Sequence, residues 1–551
     1  MSATSWTKRA SDAAGRARAR LAAVDPRVFR GLAPAILPLA ATPFLLASTR
    51  GELKEPVFTD ALVFQYVGWC LRRGLRLYRD IGMADGPFIY YLHAAIQVFV
   101  GIGDRAFRKA DLVLQLAGSG VMGAAVAPAA HSARWARRLD RAVWATVAMA
   151  IWLAWYFTFG WDCTGQREAF YGLFGSVGMA LLFAAGSGSE RRARVCTVVG
   201  AALVMSQAFG KPTGVMYPGA GLLCVALPNP ASALDLGARL RAFFTGCVAC
   251  VLAVVLALLV SGSIAGYFHF CWRIPIVGNR FLYRQNWLSY LLSAYWERFA
   301  RVVAVALVGG VAAIATGLVP LRALGIVLLP AVAFLGACLQ ARGYDYHVMP
   351  AIAGAHLLLV VVLANLWKEE DAGWTLGRGS VAAAGLVFAG LHTFDNLADS
   401  HFRWSGDSAT WDKPEHAHQD LEKEVGRYIG AHTKPGDWVF SYDANAHIVL
   451  LYAERRTASP YLHQYFLDQV GILPQSSVQP SPSELAALTR LQTDDRKAAC
   501  DGVVEHQPAA LALSSVDTSI AICPALRGMI DHDFDLRTTM GAYKIYLRKG
   551  R

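Results

Sequence analysis

Long apolar runs recur along this chain, and they constrain its fold more than any other feature. The first extends from about residue 31 to 48, and others lie near 111–130, 142–159, 169–186, 195–210, 213–228, 242–261, 300–318, 323–340, 349–366 and 380–396. Each approaches the roughly 20 residues that an α-helix needs to cross the hydrocarbon core of a bilayer. Of the 551 residues 55% are hydrophobic and only 17% are charged, too apolar a balance for a water-soluble chain of this length. The expectation is a polytopic α-helical membrane protein of about 11 spans.

Charge sets the orientation. Lys8, Arg9, Arg16, Arg18, Arg20, Arg27 and Arg30 precede the first run, so the positive-inside rule puts the N-terminus in the cytoplasm. This basic leader is long for a secretory signal and no small-x-small cleavage site follows it, so the first helix is expected to be retained. The formal net charge of +12 comes from short clusters between apolar runs, which the same rule explains. Nucleic acid is therefore not an expected partner.

Residues 88–103 are also apolar, but a span there would put Arg134, Arg137, Arg138 and Arg141 outside. Read instead as an amphipathic interfacial helix, with His93 and Gln97 turned to water, the segment leaves Arg191, Arg192, Arg194, Arg239, Arg241 and Arg322 all cytoplasmic. An odd number of spans then places the tail on the opposite side from the N-terminus. The expected organisation is a cytoplasmic segment at 1–30, a membrane domain at 31–396 with its first extracytoplasmic loop at about 50–110, and an extracytoplasmic domain at 397–551. The membrane is expected to be the cytoplasmic (inner) one.

In the tail, a helix near 416–431, a strand at 438–442, a helix from about 444 and strands near 509–513 and 543–547 predict a small soluble α/β domain. Cys500 and Cys523 lie in it and can pair if it is exported. The other eight cysteines, from Cys70 to Cys338, sit in or beside apolar segments as small buried hydrophobes.

The first loop is the most informative segment. In PVFTDALVFQYVGWCLRRGLRLYRDIGMADGPFIYY, residues 56–91, Asp60 opens a helix whose apolar positions Leu62, Tyr66, Trp69 and Cys70 suit the membrane interface. Gly74 ends that helix, Tyr78-Arg79-Asp80 follows, and Gly86-Pro87 begins a second one. An aspartate at a helix start is commonly an N-cap, and Asp80 beside Arg76 and Arg79 can be a surface ion pair of little energetic weight. Two carboxylates nonetheless flank one helix at the membrane boundary.

This arrangement resembles the first extracytoplasmic loop of the C-type (GT-C) glycosyltransferases, which include protein mannosyltransferases, aminoarabinose transferases and rhizobial lipopolysaccharide-core glycosyltransferases. Their loop has an early acidic residue, a helix ending in glycine, a Tyr-x-Asp-like segment and a proline leading into a juxtamembrane helix. Asp60, Gly74, Tyr78, Asp80 and Pro87 fit that pattern. The resemblance implies an enzyme that moves a sugar from a polyprenyl-phosphate carrier to a hydroxyl of a glycan, lipid or protein acceptor. It also implies that Asp60 activates the acceptor, with Asp80 as a second catalytic carboxylate. One departure is Asp85-Gly86, where many relatives have a lysine, a histidine or a second proline, so contacts there are expected to differ.

Other ionisable residues fall on the same face. Asp162, Arg167 and Glu168 sit in WDCTGQRE, Lys211 in KPTG, and Arg342, Asp345 and His347 in ARGYDYHVMP. The loop at 262–298 adds Arg273, Arg280 and Arg284 among aromatics. Lys211, Arg273, Arg280 and Arg284 are candidate contacts to the donor phosphate, because ammonium and guanidinium groups form charge-assisted bonds to it. Tyr78, Asp162, Arg167, Glu168, Asp345 and His347 are candidate substrate-binding residues, although charges at span ends also serve as anchors. One histidine beside one aspartate lacks the ligand count of a metal site, so no metal ligand is assigned and a divalent metal is left as an alternative. Asp437, Tyr442 and Arg456 are assigned to folding of the tail.

A transporter or flippase for a glycan or lipid-linked substrate is the reading from another class. Against it, the charges gather at one rim, and neither paired broken spans nor internal symmetry is evident.

Overall fold

The computed structural model describes residues 33–127, 134–160, 163–186, 188–279, 281, 299–340, 344–366, 414–475 and 478–550. Among the described residues, twelve principal helices precede the tail. They are α1 (Ile36–Glu52), α2 (Thr59–Arg72), α3 (Pro87–Val100), α4 (Asp104–Val126), α5 (Arg134–Tyr156) and α6 (Arg167–Ala184), then α7 (Glu190–Ser206), α8 (Met216–Ala226), α9 (Leu236–Val260), α10 (Arg301–Ala315), α11 (Leu324–Gln340) and α12 (Met349–Leu366). Ten of these overlie expected spans, while α2 and α3 are the two helices of the first loop. The run at 380–396 lies outside the described residues. Among the described residues, four helical stretches are long and apolar enough to cross a membrane: Arg137–Phe159, Leu236–Val260, Leu321–Gln340 and Tyr346–Leu366. On α9 the large apolar side chains Phe244, Val248, Leu252, Leu256 and Leu259 are exposed, a surface that lipid rather than water covers.

Helices facing lipid hide their polar side chains, since hydrocarbon offers them no hydrogen bonds. On α4, Arg108, Asp111, Gln115 and Ser119 share one face at helical spacing and are buried, while Val113 and Val121 point outward. Tyr156 Oη donates to Asp111 Oδ2 at 2.6 Å and Trp152 Nε1 to Gln115 Oε1 at 2.9 Å. Arg108 pairs with Glu52 at 2.5 Å and donates to Thr164 Oγ1 at 2.6 Å.

The same inversion corrects the expectation for α3. His93 and Gln97 are not turned to water: the His93 ring stacks on Phe107 with centroids 4.8 Å apart, and Gln97 donates to the Gln65 carbonyl at 2.6 Å. Tyr91, Val98, Phe99 and Val100 are the large side chains left outside, Phe99 at 87% exposure. Helix α2 also departs from expectation, because Leu62, Tyr66, Trp69 and Cys70 are covered by protein rather than presented to an interface.

The tail covers α2 together with α3. Its elements are α13 (Pro414–His432), β1 (Trp438–Tyr442), α14 (Ala446–Ala453), β2 (Arg456–Thr457), α15 (Pro482–His506), β3 (Ala510–Leu513), β4 (Phe534–Met540) and β5 (Tyr543–Arg548), with shorter helices between. The strands form one sheet in the order β2-β1-β3-β5-β4; β1 runs parallel to β2 and β3, and β5 antiparallel to β3 and β4. Strand β3, ALAL, is buried throughout, as a central strand covered on both faces requires. Cys500 and Cys523 are disulfide-bonded.

Tail and first loop share one apolar core, in which Val57, Leu62 and Tyr66 belong to the same cluster as Val439, Ile448, Leu451 and Leu511. Polar ties fix the register: Tyr66 Oη donates to the Arg455 carbonyl at 2.9 Å, Gly82 N–H to the Pro460 carbonyl at 2.9 Å, and Lys423 pairs with Asp104 at 2.7 Å.

The turn into α3 depends on Gly86. Its N–H donates to the Gly210 carbonyl at 3.2 Å, and a side chain there would overlap the Phe209 carbonyl. This approach brings Asp85 to the segment that carries Lys211. Two outcomes are expected in thermal unfolding of the purified protein. Gly86→Ala, which forces backbone apart, lowers the melting temperature by the equivalent of about 1–3 kcal/mol. Cys500→Ser, by opening a loop closed across 23 residues, destabilises the tail by about 3 kcal/mol.

Candidate functional site

Asp60 lies in the first turn of α2, whose N-cap is Phe58 without a side-chain cap bond, so its carboxylate is not spent on capping. It is half-buried and within 3.5 Å of Tyr346 Oη. Burial pushes its carboxyl pKa above the usual range, opposed chiefly by the charge of Arg167. That makes it a stronger base than an exposed aspartate.

Beside it is a set of ion pairs drawn from separate parts of the chain. Arg167 and Glu168 open α6, and Glu168 is 2% exposed. Arg167 Nε lies 3.0 Å from Glu168 Oε1, and the same guanidinium pairs with Asp85 of the first loop. Lys211 pairs with the same Glu168 oxygen and donates to Gln340 Oε1 at 3.0 Å. Pro212 follows it at the start of a 3-10 turn, Pro212–Val215, which leads into α8. His347 Nε2 is 3.9 Å from Glu168. The 3-10 turn Asp345–Val348 ahead of α12 carries both Tyr346 and His347, whose rings meet edge to face at 4.7 Å. Two cations are thus held against one another's repulsion by two carboxylates, Glu168 and Asp85, close to a half-buried base.

The tail contributes residues that sequence reasoning missed. His463 acts electrostatically on Asp60, and its Nδ1 lies 3.1 Å from the Ala444 carbonyl. His447 stands 5.1 Å from His463, centroid to centroid, and its Nε2 bonds the Thr59 carbonyl at 3.0 Å. Burial pushes both histidines toward the neutral form. No spacing in the sequence links them to the first loop, so nothing there marks them.

Other expected residues lie elsewhere. Asp80 pairs at the surface with Arg76 at 3.2 Å and accepts from the Arg76 N–H at 2.8 Å, so it closes its own turn and is not among the groups gathered round Asp60. Arg273 is exposed and pairs with Asp494 of α15 at 3.2 Å. Tyr78, with φ of 60° and 2% exposure, is packed against Tyr90, Tyr267 and Phe270. Its hydroxyl donates to the Asp85 carbonyl at 2.5 Å, so it holds the partner of Arg167 instead of facing a substrate. Asp162, Arg280, Arg284 and the side chain of Asp345 lie outside the described residues. Among the described residues no group of three or more His, Cys, Asp or Glu side chains is placed to hold a metal ion.

An apolar cavity of about 280 Å³ lies next to the cluster, lined by Phe88, Tyr91, Leu92, Phe209, Val254 and Leu258. Phe209 belongs to the same turn as Lys211, and Phe88 follows Gly86-Pro87. A polar, cationic end and an apolar extension are therefore adjacent.

Neither the known protein families nor the curated proteins give a match to this sequence. Solved structures do. ArnT from Cupriavidus metallidurans bound to undecaprenyl phosphate is similar over 93% of this chain and 97% of its own, with 13% identity and a TM-score of 0.53. The apo state of the same protein gives 14% identity, coverage of 92% and 97%, and a TM-score of 0.48. The apo oligosaccharyltransferase of Archaeoglobus fulgidus gives 10% identity, coverage of 87% and 69%, and a TM-score of 0.41. The match to the first of these spans nearly the whole of both chains, so the similarity is one of overall fold and not of a shared fragment. The fold of this chain is that of ArnT.

Proposed function

We propose that this integral membrane protein is a glycosyltransferase that takes a sugar from a polyprenyl-phosphate carrier and transfers it to an acceptor hydroxyl at the extracytoplasmic face of the cytoplasmic membrane. The observation that carries this reading is the convergence of Asp60, Arg167, Glu168 and Lys211 beside an apolar cavity. A lipid phosphate needs cations at its head and an apolar seat for its chain, and both are adjacent. That ArnT of the same fold binds undecaprenyl phosphate supports the choice of donor. The disulfide in the tail supports an oxidising compartment for that domain, and with it the orientation that places the N-terminus in the cytoplasm.

Transfer passes through an oxocarbenium-like state, so it requires a base for the acceptor proton and positive charge for the leaving group. In this reading the acceptor oxygen forms a bond to the anomeric carbon as the bond from that carbon to the phosphate oxygen breaks. Asp60 takes the acceptor proton. Polyprenyl phosphate departs as an anion held by Arg167 and Lys211. Glu168 and Asp85 keep the two cations in place between turnovers, and Tyr346 and His347 border the sugar.

Incubation of the purified protein with a panel of polyprenyl-phosphate sugars tests the reaction, and flux of labelled solute without covalent transfer would establish the transporter reading in its place. Asp60→Asn is expected to lower kcat by about 100-fold or more, the usual weight of a general base. Because a base must be deprotonated, wild-type activity is expected to fall as pH drops through a limb displaced above the usual aspartate range, and full activity of Asp60→Asn would remove the assignment. Lys211→Met is expected to reduce kcat/KM for the donor about 10- to 100-fold, the cost of one charged hydrogen bond to phosphate.

A further inference from the structure

At the opposite end of α2 from Asp60, a cleft of about 460 Å³ separates the first loop from the tail. Its walls include Trp69 and Arg73 of the loop and Arg427, Tyr452, Arg455 and Arg456 of the tail. Trp69 follows Asp60 by about nine residues, so the cleft starts about 14 Å along the helix from the candidate base. It is a separate place from the site above.

The arginines in it fall into two kinds. Arg455 is saturated: it donates to Thr433 Oγ1 at 2.9 Å and to the carbonyls of Ala453, Glu454, Gly430 and Thr433 at 2.9, 3.1, 2.8 and 2.6 Å. It builds the wall. The other three each rest a guanidinium over an aromatic ring: Arg73 over Trp69 at 5.2 Å, Arg427 over Tyr452 at 5.4 Å, and Arg456 over Trp438 at 5.6 Å. Stacking occupies the face of a guanidinium and leaves its N–H edge available for bidentate bonding to an oxyanion. Arg456 spends one donor on the Arg73 carbonyl at 3.2 Å, and among the described residues none of the three forms an ion pair with a carboxylate. Glu454 alone supplies negative charge to the lining.

The apolar side chains of the lining are Trp69, Tyr452, Pro435 and Ala453, and none of the exposed large hydrophobic residues belongs to it, so no long aliphatic side chain offers a seat to a lipid chain. Aromatic rings with guanidinium edges suit sugar rings that carry oxyanions. We propose that this cleft is a binding site for an acidic saccharide, one bearing carboxylate or phosphate groups, and that it holds the acidic part of an extended acceptor whose hydroxyl reaches Asp60. The role as acceptor site rests on the glycosyltransferase reading; the binding does not.

The test uses the full-length protein in nanodiscs without donor, with binding followed by calorimetry and by the fluorescence of Trp69. The probes are a uronate trisaccharide, its methyl ester and inorganic phosphate. The uronate is expected to bind at least ten times more tightly than either of the others, and more weakly as salt is raised. Arg427→Gln combined with Arg456→Gln is expected to weaken it at least tenfold, and Trp69→Phe to abolish most of the fluorescence change. Equal binding of the ester, equal binding of phosphate, or undiminished binding by the double variant would each overturn the proposal. Should the double variant not fold, the comparison of uronate with ester on the wild type and the Trp69→Phe signal still decide it. Asp60→Asn is expected to bind the uronate as the wild type does; binding by the wild type with no transfer once a polyprenyl-phosphate sugar is added counts against the enzyme reading alone, and absence of binding counts against the cleft alone.

Discussion

The pairing of Glu168 with both Arg167 and Lys211 is the interaction on which the rest of the site depends. A carboxylate at 2% exposure and two cations beside it would each be costly to bury alone. Together they are tolerable, and they can meet only if α6, the turn before α8 and the first loop arrive at one point. Asp85 completes the set from the loop side, and Tyr78 and Gly86 act on it from behind, one by a hydrogen bond and the other by allowing backbone to approach backbone. The Asp85-Gly86 departure from the loop pattern is thus accounted for: the aspartate partners a cation, and the glycine makes the room.

The tail is part of this assembly and not an appendage to it. Helix α2 is buried along most of its length between membrane domain and tail, with Asp60 at one end and the arginine-lined cleft at the other. His447 bonds the backbone next to Asp60, so the environment of that carboxylate is set by residues from both ends of the chain.

Much of the fold was legible because apolar run length is a strong signal and needs no partner to be read. Three of the tail strands, β1, β3 and β5, were legible for a similar local reason, whereas β2 and the edge strand β4 were not, and the first loop showed its helix, its glycine stop and its proline start. Sidedness of polar residues on helices was not. His93 and Gln97 look water-facing by ordinary amphipathic reasoning, yet lipid reverses the rule and they turn inward. Asp60, Arg167, Glu168, Lys211 and His347 were legible as candidates because they are ionisable residues at the ends of apolar runs. Asp80 and Arg273 carried the same signal but found partners nearby at the surface, a distinction that charge and spacing do not encode.

Sequence by itself determined that this chain lives in a membrane, where most of its helices lie, and that its first loop resembles that of the GT-C glycosyltransferases around Asp60. Each of these is written in the order and polarity of neighbouring residues. Only the tertiary structure decided that Glu168 stands between Arg167 and Lys211, that His447 and His463 come to Asp60, and that three stacked arginines face one cleft. These are contacts between segments far apart in the chain, set by which surfaces pack together, and no local pattern carries that information.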